Sequence, residues 1–210
     1  IKEINELLAE ISMHDIYHKT GLRANPYFVL PRILWIRKNR PDAFNAAHKL
    51  MGVQDYVLHC LTGEFKTDHS QAARTMLMNI HNFNWDKDML RIAGLKEDKL
   101  CELLPPGSHG GSITKEVAAA TGLPSGLPVI MSGGDQQNAA VGLNIISPGM
   151  AEANTGTGSF VIAYTDKPAF DPKYRVICSA SAIAGKWILE ASIFNTGSMY
   201  RWCKEQVYKD

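Results

Sequence analysis

Between Glu116 and Asp166 the chain carries only two charged residues, Asp135 and Glu152, and no Lys, Arg or His. Six of its 17 glycines fall within 133–158. So long a charge-poor run must be buried, cross a bilayer or approach a ligand closely. A membrane helix is untenable, because 117–134 contains two prolines and four glycines. What remains is a buried strand, Pro128-Val129-Ile130-Met131, running through Ser132-Gly133-Gly134 into a helix over 136–143. A lone carboxylate at the end of a strand and the start of a helix is a common place for a site. The helix dipole favours the ionised form of Asp135, which suits a base that must take a proton. On spacing alone the plainer reading, that Asp135 merely caps the helix, comes first.

Asn154-Thr155-Gly156-Thr157-Gly158-Ser159 is the second feature. Small residues let a ligand approach the backbone, and consecutive N–H groups with hydroxyls can cradle phosphate oxygens. The run is not a Walker loop, since no G-x-x-x-x-G-K is present, nor does it have the G-x-G-x-x-G of a dinucleotide fingerprint. By itself a G-T-G turn also serves as a hairpin connection. The two features lie on either side of a boundary near Ser147-Pro148-Gly149, and a cleft between domains is where ligands tend to bind.

The front half reads as helices joined by short turns. Ile1, Ile4, Leu7, Leu8 and Ile11 repeat at helical spacing, and the helix they predict ends before Thr20-Gly21. Pro31 and Pro41 open two further helices. Val53 to Leu61 stops at Gly63, and Asp86 to Ala93 stops at Gly94. A strand is expected near Thr75–Ile80. Thr114 caps a short helix closed by Gly122. Phe160–Tyr164, Tyr174–Ser179 and Lys186–Leu189 are strand-like, and a last helix covers about Asn195 to Tyr208. Helices, then strand–turn–helix, then more strands argue an α/β protein.

Composition removes several classes. The 45% hydrophobic and 20% charged fractions are those of a globular domain. Lys plus Arg (22) nearly equals Asp plus Glu (21), which leaves no basic stripe for nucleic acid. Cys60, Cys101, Cys178 and Cys203 are far apart and form no C-x-x-C, so reduced thiols in a cytoplasmic protein are expected. Ile1 opens a charged amphipathic stretch without the pattern of a signal peptide. His14 and His18 are four apart on a helix, but no third metal ligand is in view. Asp68-His69-Ser70 has the letters of a triad, whose members meet in space rather than in sequence, and reads better as a turn or cap.

Gly133-Gly134-Asp135-Gln136-Gln137-Asn138-Ala139-Ala140, followed by Gly149-Met150 and Gly156-Thr157-Gly158, resembles the central region of the FGGY carbohydrate kinases. Other blocks recur in the family's order. They include Thr20-Gly21-Leu22, Pro26-Tyr27-Phe28, Pro31-Arg32-Ile33-Leu34-Trp35-Ile36, Leu61-Thr62-Gly63, Thr67 to Ala72, Arg74 to Leu77, Asn79-Ile80-His81 and Trp85-Asp86. The family pattern usually has Lys where this chain has Arg32.

The resemblance implies an actin-like, ribonuclease-H-like ATPase fold, present in part. Residues 1–146 would be the latter part of an N-terminal sugar-binding domain, and 147–210 the start of a C-terminal ATP-binding domain. It implies ATP and Mg²⁺ as cofactors, Asp135 as the catalytic base, and Tyr27, Asp135 and Gln136 as substrate contacts. Gly156, Thr157, Gly158 and Gly197 would hold ATP, while Arg201 stands where glycerol kinases have Gln. The partner is a small-molecule sugar or polyol, with no nucleic acid and no membrane, and homodimer formation is left open. Asp-Gln-Gln favours glycerol as acceptor, whereas the double glycine and Asn138-Ala139-Ala140 look more like xylulokinases, and hexonates and other sugars stay open behind these two. Absence of the family's Asp-x-Gly-Thr phosphate loop leads to the expectation that the 210-residue segment alone is inactive. A reading of another class keeps the fold but not the reaction: a non-catalytic nucleotide- or sugar-binding regulator. Asp135 counts against it, because a pure binder needs no base.

Overall fold

Helix ends in the front half are set by local chemistry, and the computed structural model, which describes residues 2–208, shows where that chemistry wins. The single helix expected from the Ile/Leu repeat is two, α1 (Lys2–Glu10) and α2 (Met13–Thr20). Ser12 causes the break: its hydroxyl accepts the Asp15 N–H at 3.0 Å and donates to the Asp15 carboxylate at 2.6 Å, which starts a new helix. Ile1 lies outside the described residues.

α3 (Val29–Asn39) begins two residues before Pro31, which still falls within the first turn, where its missing N–H costs nothing. α4 (Pro41–Ala46) and α5 (Val53–Thr62) start at the expected residues. Beyond them come β1 (Lys66–Asp68), α6 (His69–Ala72) and α7 (Lys87–Ala93). Gly21, Gly63 and Gly94 end their helices in the left-handed conformation, as the sequence predicts.

The strand expected near Thr75–Ile80 is not formed. Residues 73–75 make a single 3₁₀ turn, Met76 takes a φ of 62°, and only an isolated bridge joins Met78 to Trp85. Met76, Leu77, Met78 and Ile80 are all fully buried, so the alternation a strand requires is missing. The backbone of this buried loop bonds its neighbours instead, with Ile80 N–H donating to the carbonyl of Lys19 in the last turn of α2 at 2.8 Å.

β2 (Glu102–Leu104) pairs in parallel with β1, and neither strand is apparent in the sequence. β3 (His109–Ser112), α8 (Lys115–Thr121) and β4 (Pro128–Ile130) follow. β4 falls where a buried strand is expected, but Ile130 is 54% exposed and the buried residue is Met131. Among the described residues β4 pairs only with β3, so one hydrogen-bonding edge of the strand is left without a strand partner. α9 (Asp135–Gly142) begins directly after the glycine turn.

β5 (Ala151–Thr155), β6 (Ser159–Thr165), β7 (Ile177–Ala180) and β8 (Trp187–Ile193) form an antiparallel sheet in the order β5-β6-β8-β7. The strand expected over Tyr174–Ser179 shortens to β7. Tyr174, at φ 54°, belongs instead to a turn whose N–H donates to the Asp171 carbonyl at 2.8 Å. α10 (Gly197–Gln206) ends the described fold.

Ile162, Tyr164 and Ile188 of this sheet bury against Ala140 and Ile145, next to α9. The larger core holds Leu30, Met76 and Met89, and also Ile177, Cys178 and Ala180 from beyond the boundary expected at 147. Bonds reinforce that join. Cys178 N–H donates to the Gly21 carbonyl at 2.9 Å, and the Trp187 indole donates to the Ile80 carbonyl at 2.7 Å.

Candidate active site

The turn that delivers Asp135 is held from below. Gly133 has a φ of 114°, which strains any side chain, and a Cβ there would also lie 3.1 Å from the Ser70 hydroxyl. Gly134 N–H donates to the Ser70 hydroxyl at 2.8 Å. Ser70 in turn donates to the carboxylate of Asp68, which is fully buried. That carboxylate also accepts the N–H groups of Ser70 at 2.8 Å and Gln71 at 3.2 Å, and the Gln54 amide at 2.7 Å. Asp68 is therefore the cap of α6, as expected, and the run Asp68-His69-Ser70 is no triad. His69 instead stacks on Phe83 at 4.9 Å, and burial holds its imidazole below the usual range. The distant consequence of the cap is a brace under Gly134.

The N-cap of α9 is Gly134, which has no side chain, and Asp135 is the first helical residue. Its Oδ1 accepts the Gln136 N–H at 2.8 Å. Asp135 is therefore not the cap itself: one of its oxygens satisfies a first-turn donor, and the exposed carboxylate lines a cleft of about 500 Å³. Asn138 fastens the turn by donating to the Gly133 carbonyl at 3.1 Å.

One wall of the cleft is Arg23, Asn25, Tyr27 and Arg32, from the α2–α3 connection and the start of α3. Its floor is Ser70, Gln71, Arg74 and the start of α9, and its far wall includes Phe160, Glu190, Ser192 and Phe194. Tyr27, Asp135 and Gln136, far apart in sequence, all face this one space. Tyr27 is 62% exposed, with its ring 6.4 Å from that of Phe194. The Gln136 Oε1 is buried without a hydrogen-bond partner. Two ion pairs border the space. Arg74 grips both oxygens of the buried Glu190 at 3.0 and 2.9 Å. Arg175 bonds Asp171 at 2.8 and 3.1 Å, and this guanidinium holds the Asp171 carboxyl well below the usual carboxylate range.

The nucleotide candidates occupy a different hollow. Gly156, Thr157 and Gly197 line a pocket of about 280 Å³ with Ser198, Arg201, Trp202 and Glu205. Thr155 pairs with Ser159, so Gly156-Thr157-Gly158 is indeed a hairpin turn, and the same turn forms the pocket wall. α10 clamps it: Thr196 N–H donates to the Thr157 carbonyl at 3.0 Å and Gly197 N–H to the Gly156 carbonyl at 3.1 Å. A Cβ on Gly197 would stand 2.1 Å from that Gly156 oxygen, so only glycine permits the clamp. Gly158 sits beneath the turn rather than in the pocket, where a Cβ would lie 2.8 Å from the Ile193 carbonyl.

The His14 and His18 rings lie 4.2 Å apart, tilted by 31°, and among the described residues no group of three or more His, Cys, Asp or Glu could hold a metal. All four cysteines are free. No helix among the described residues is long and apolar enough to cross a membrane.

Sequence reasoning missed Arg23, Ser70, Arg74 and Glu190 as parts of the cleft. Glu190 had a local signal, a lone charge on the inward face of an apolar strand. Ser70 had none, because its partner Gly134 is 64 residues away.

The model of the FGGY family of carbohydrate kinases, N-terminal domain, matches residues 1–142. The chain is 34% identical over 213 residues to a glycerol kinase of Thermococcus onnurineus, covering 99% of this chain and 41% of that protein. It is 29% identical over 203 residues to a gluconokinase of Bacillus subtilis, covering 96% and 39%. The crystal structure of a xylulose kinase from Rhodospirillum rubrum superposes with a TM-score of 0.92 at 26% identity, over 99% of this chain and 42% of that one. The chain thus spans about two fifths of the length of the curated relatives it matches. Its fold is the actin-like, ribonuclease-H-like fold of those kinases, present in part. With the family's N-terminal-domain model matched over residues 1–142, the chain belongs to the FGGY family of carbohydrate kinases.

Proposed function

We propose that the full-length protein containing this chain transfers the γ-phosphoryl group of ATP to a hydroxyl of a sugar or polyol, with Asp135 as general base. The observation that carries this reading is the convergence of Asp135, Gln136 and Tyr27 on one cleft, with the Asp135 turn braced from below by Ser70. The acceptor oxygen attacks the γ-phosphorus, a new O–P bond forms, and the bond to the β-phosphate oxygen breaks to release ADP. The hydroxyl proton passes to the Asp135 carboxylate. Gln136 and Tyr27 orient the acceptor, since phosphoryl transfer depends chiefly on positioning and charge stabilisation.

Thr157 and its flanking glycines are the phosphate loop in this reading, and Gly197 acts by letting α10 hold that loop in shape. Mg²⁺ would arrive on the nucleotide phosphates and offset their charge, because the described residues offer no carboxylate cage for it. Among neutral acceptors, glycerol and a xylulose-like ketose fit the sequence about equally.

The test is an acceptor panel on the full-length protein, following ADP release, with Asp135→Asn beside the wild type. Turnover should fall by about 10²–10⁴-fold in the variant while acceptor binding persists. Tight ATP binding with no turnover of any sugar, polyol or sugar acid would instead support the regulator reading. Wild-type turnover in Asp135→Asn would remove Asp135 from the role of base.

A further inference from the structure

Four aromatic rings line the cleft: Phe28, Tyr27, Phe194 and Phe160. Taken in that order their centroids are 5.5, 6.4 and 6.5 Å apart, all within the range of about 4.5–7 Å over which rings attract one another. Phe28 is rooted in the larger core and Phe160 belongs to β6, so the run crosses the cleft from wall to wall. Both middle residues are held by their backbones. Tyr27 N–H donates to the Asn25 side-chain oxygen at 2.9 Å, and its carbonyl accepts from Arg32 at 3.0 Å. Phe194 is pressed against the glycine turn, where a Cβ on Gly158 would lie 3.2 Å from its carbonyl oxygen. Core packing does not account for the two rings, since Tyr27 is 62% and Phe194 55% exposed.

Nor does the pair fit an acceptor sandwiched between its rings. A carbon resting on each ring face needs about 3.5–4.0 Å, so a guest between two faces needs them roughly 7–8 Å apart. The Tyr27 and Phe194 rings are 6.4 Å apart and tilted by 42°, so they meet each other rather than a guest. Asp135 is an exposed carboxylate in the same cleft. As a base it would serve water as well as a sugar hydroxyl.

We propose that Phe194 is a positioning residue that completes an aromatic arch with Tyr27 and so keeps water from taking the phosphoryl group. This role rests on the kinase reading above and concerns which oxygen the reaction accepts. In the reaction it suppresses, a water oxygen attacks the γ-phosphorus and the bond to the β-phosphate oxygen breaks. The water proton passes to Asp135, and ADP and inorganic phosphate leave. Closing a site against water is what prevents such side reactions. Phe194 ties the arch to the nucleotide end, because Thr196 and Gly197, two and three residues on, bond the Gly156-Thr157 turn.

The experiment measures, for the full-length protein and its Phe194 variants, phosphate release from ATP alone and phosphoryl transfer to glycerol, xylulose and gluconate. Loss of one aromatic pair changes the closed population of the arch by about two- to tenfold, so Phe194→Ala should raise the ratio of hydrolysis to transfer by about that factor. Phe194→Tyr, which keeps a ring, should restore the wild-type ratio, and Phe194→Leu should not. Circular dichroism checks that each variant is folded. An unchanged ratio in Phe194→Ala, with both rates falling together, would leave a structural role only and overturn the proposal while the kinase reading stands. A higher acceptor KM with no extra hydrolysis would overturn it in favour of direct contact with the acceptor. A wild-type ratio in Phe194→Leu would show that the ring is not needed and overturn it as well. Hydrolysis by the wild type without transfer to any acceptor would sink the kinase reading, and only its rise in Phe194→Ala would then keep the shield. Neither hydrolysis nor transfer would sink both.

Discussion

Replacing Ser70 by alanine tests whether the brace under the glycine turn serves the chemistry or only the fold. Ser70 is 1% exposed, and its hydroxyl is the acceptor for Gly134 N–H at 2.8 Å. Bulk water cannot take its place, so the variant leaves a buried N–H unpaired at a cost of about 1–3 kcal/mol. The loss at Asp68 is smaller, because its carboxylate keeps the N–H groups of Ser70 and Gln71 and the amide of Gln54. The turn can relieve the unpaired donor only by moving, and Asp135 is the next residue. A displacement near 1 Å at a reacting group costs up to about 10²-fold in rate. We expect Ser70→Ala in the full-length protein to lower kcat by about 10–100-fold with little change in KM for ATP. Urea denaturation should show the loss of about 1–3 kcal/mol. In an Asp135→Asn background the same substitution should slow turnover little further, since both act through one carboxylate. A destabilised Ser70→Ala protein with wild-type kcat would refute the reasoning, as would losses that multiply in the double variant.

Three further expectations follow from the same contacts. Gly197→Ala would bring a Cβ 2.1 Å from the Gly156 oxygen, forcing the turn to shift by about 1 Å, so KM for ATP should rise at least about tenfold while acceptor binding holds. Glu190→Gln strips the charge partner from Arg74 and should cost about 2–3 kcal/mol in denaturant melts, toward the lower end for a broken buried pair because Arg74 keeps some exposure. Arg74→Met combined with Glu190→Leu should recover at least half of that loss. Burial pushes the thiols of Cys101 and Cys178 up to about 12 and about 11. Peptide mapping after native labelling at pH 8 should therefore find Cys60 and Cys203 modified and those two intact until the protein unfolds.

What the residues reveal in advance depends on the range of the interaction. Caps and stops are local, so Gly21, Gly63, Gly94, Thr114 and Gly122 mark helix ends that the structure keeps. Ser12 was equally local, but its hydroxyl competed with a strong apolar period that bridged it. The stretch from Thr75 to Ile80 misleads for the opposite reason: its apolar residues sit in the larger core with residues of α3, α7 and β7, and a short apolar run by itself does not say whether a buried loop or a buried strand carries it. In the cleft, Asp135 stands out because its surroundings lack charge. Arg23 and Arg74 do not, since nothing near them in sequence says which arginine faces inward or finds a carboxylate 116 residues away.

β7 at one edge of the four-stranded sheet is embedded in the larger core, while β5 at the other edge carries the Gly156-Thr157-Gly158 turn. Were the sheet to turn as a rigid body about β7, it would act as a lever. Three strand spacings, about 14 Å, separate pivot from tip. A rotation of about 10° at the pivot sweeps the turn through about 2.5 Å, nearly a hydrogen-bond length, on the same spacing. The Arg74–Glu190 pair, one strand from the pivot, moves only about a third as far. In the kinase reading proposed above, such a swing would move the glycine turn further than the Arg74–Glu190 pair beside the acceptor cleft, so the two grips would be mechanically separable.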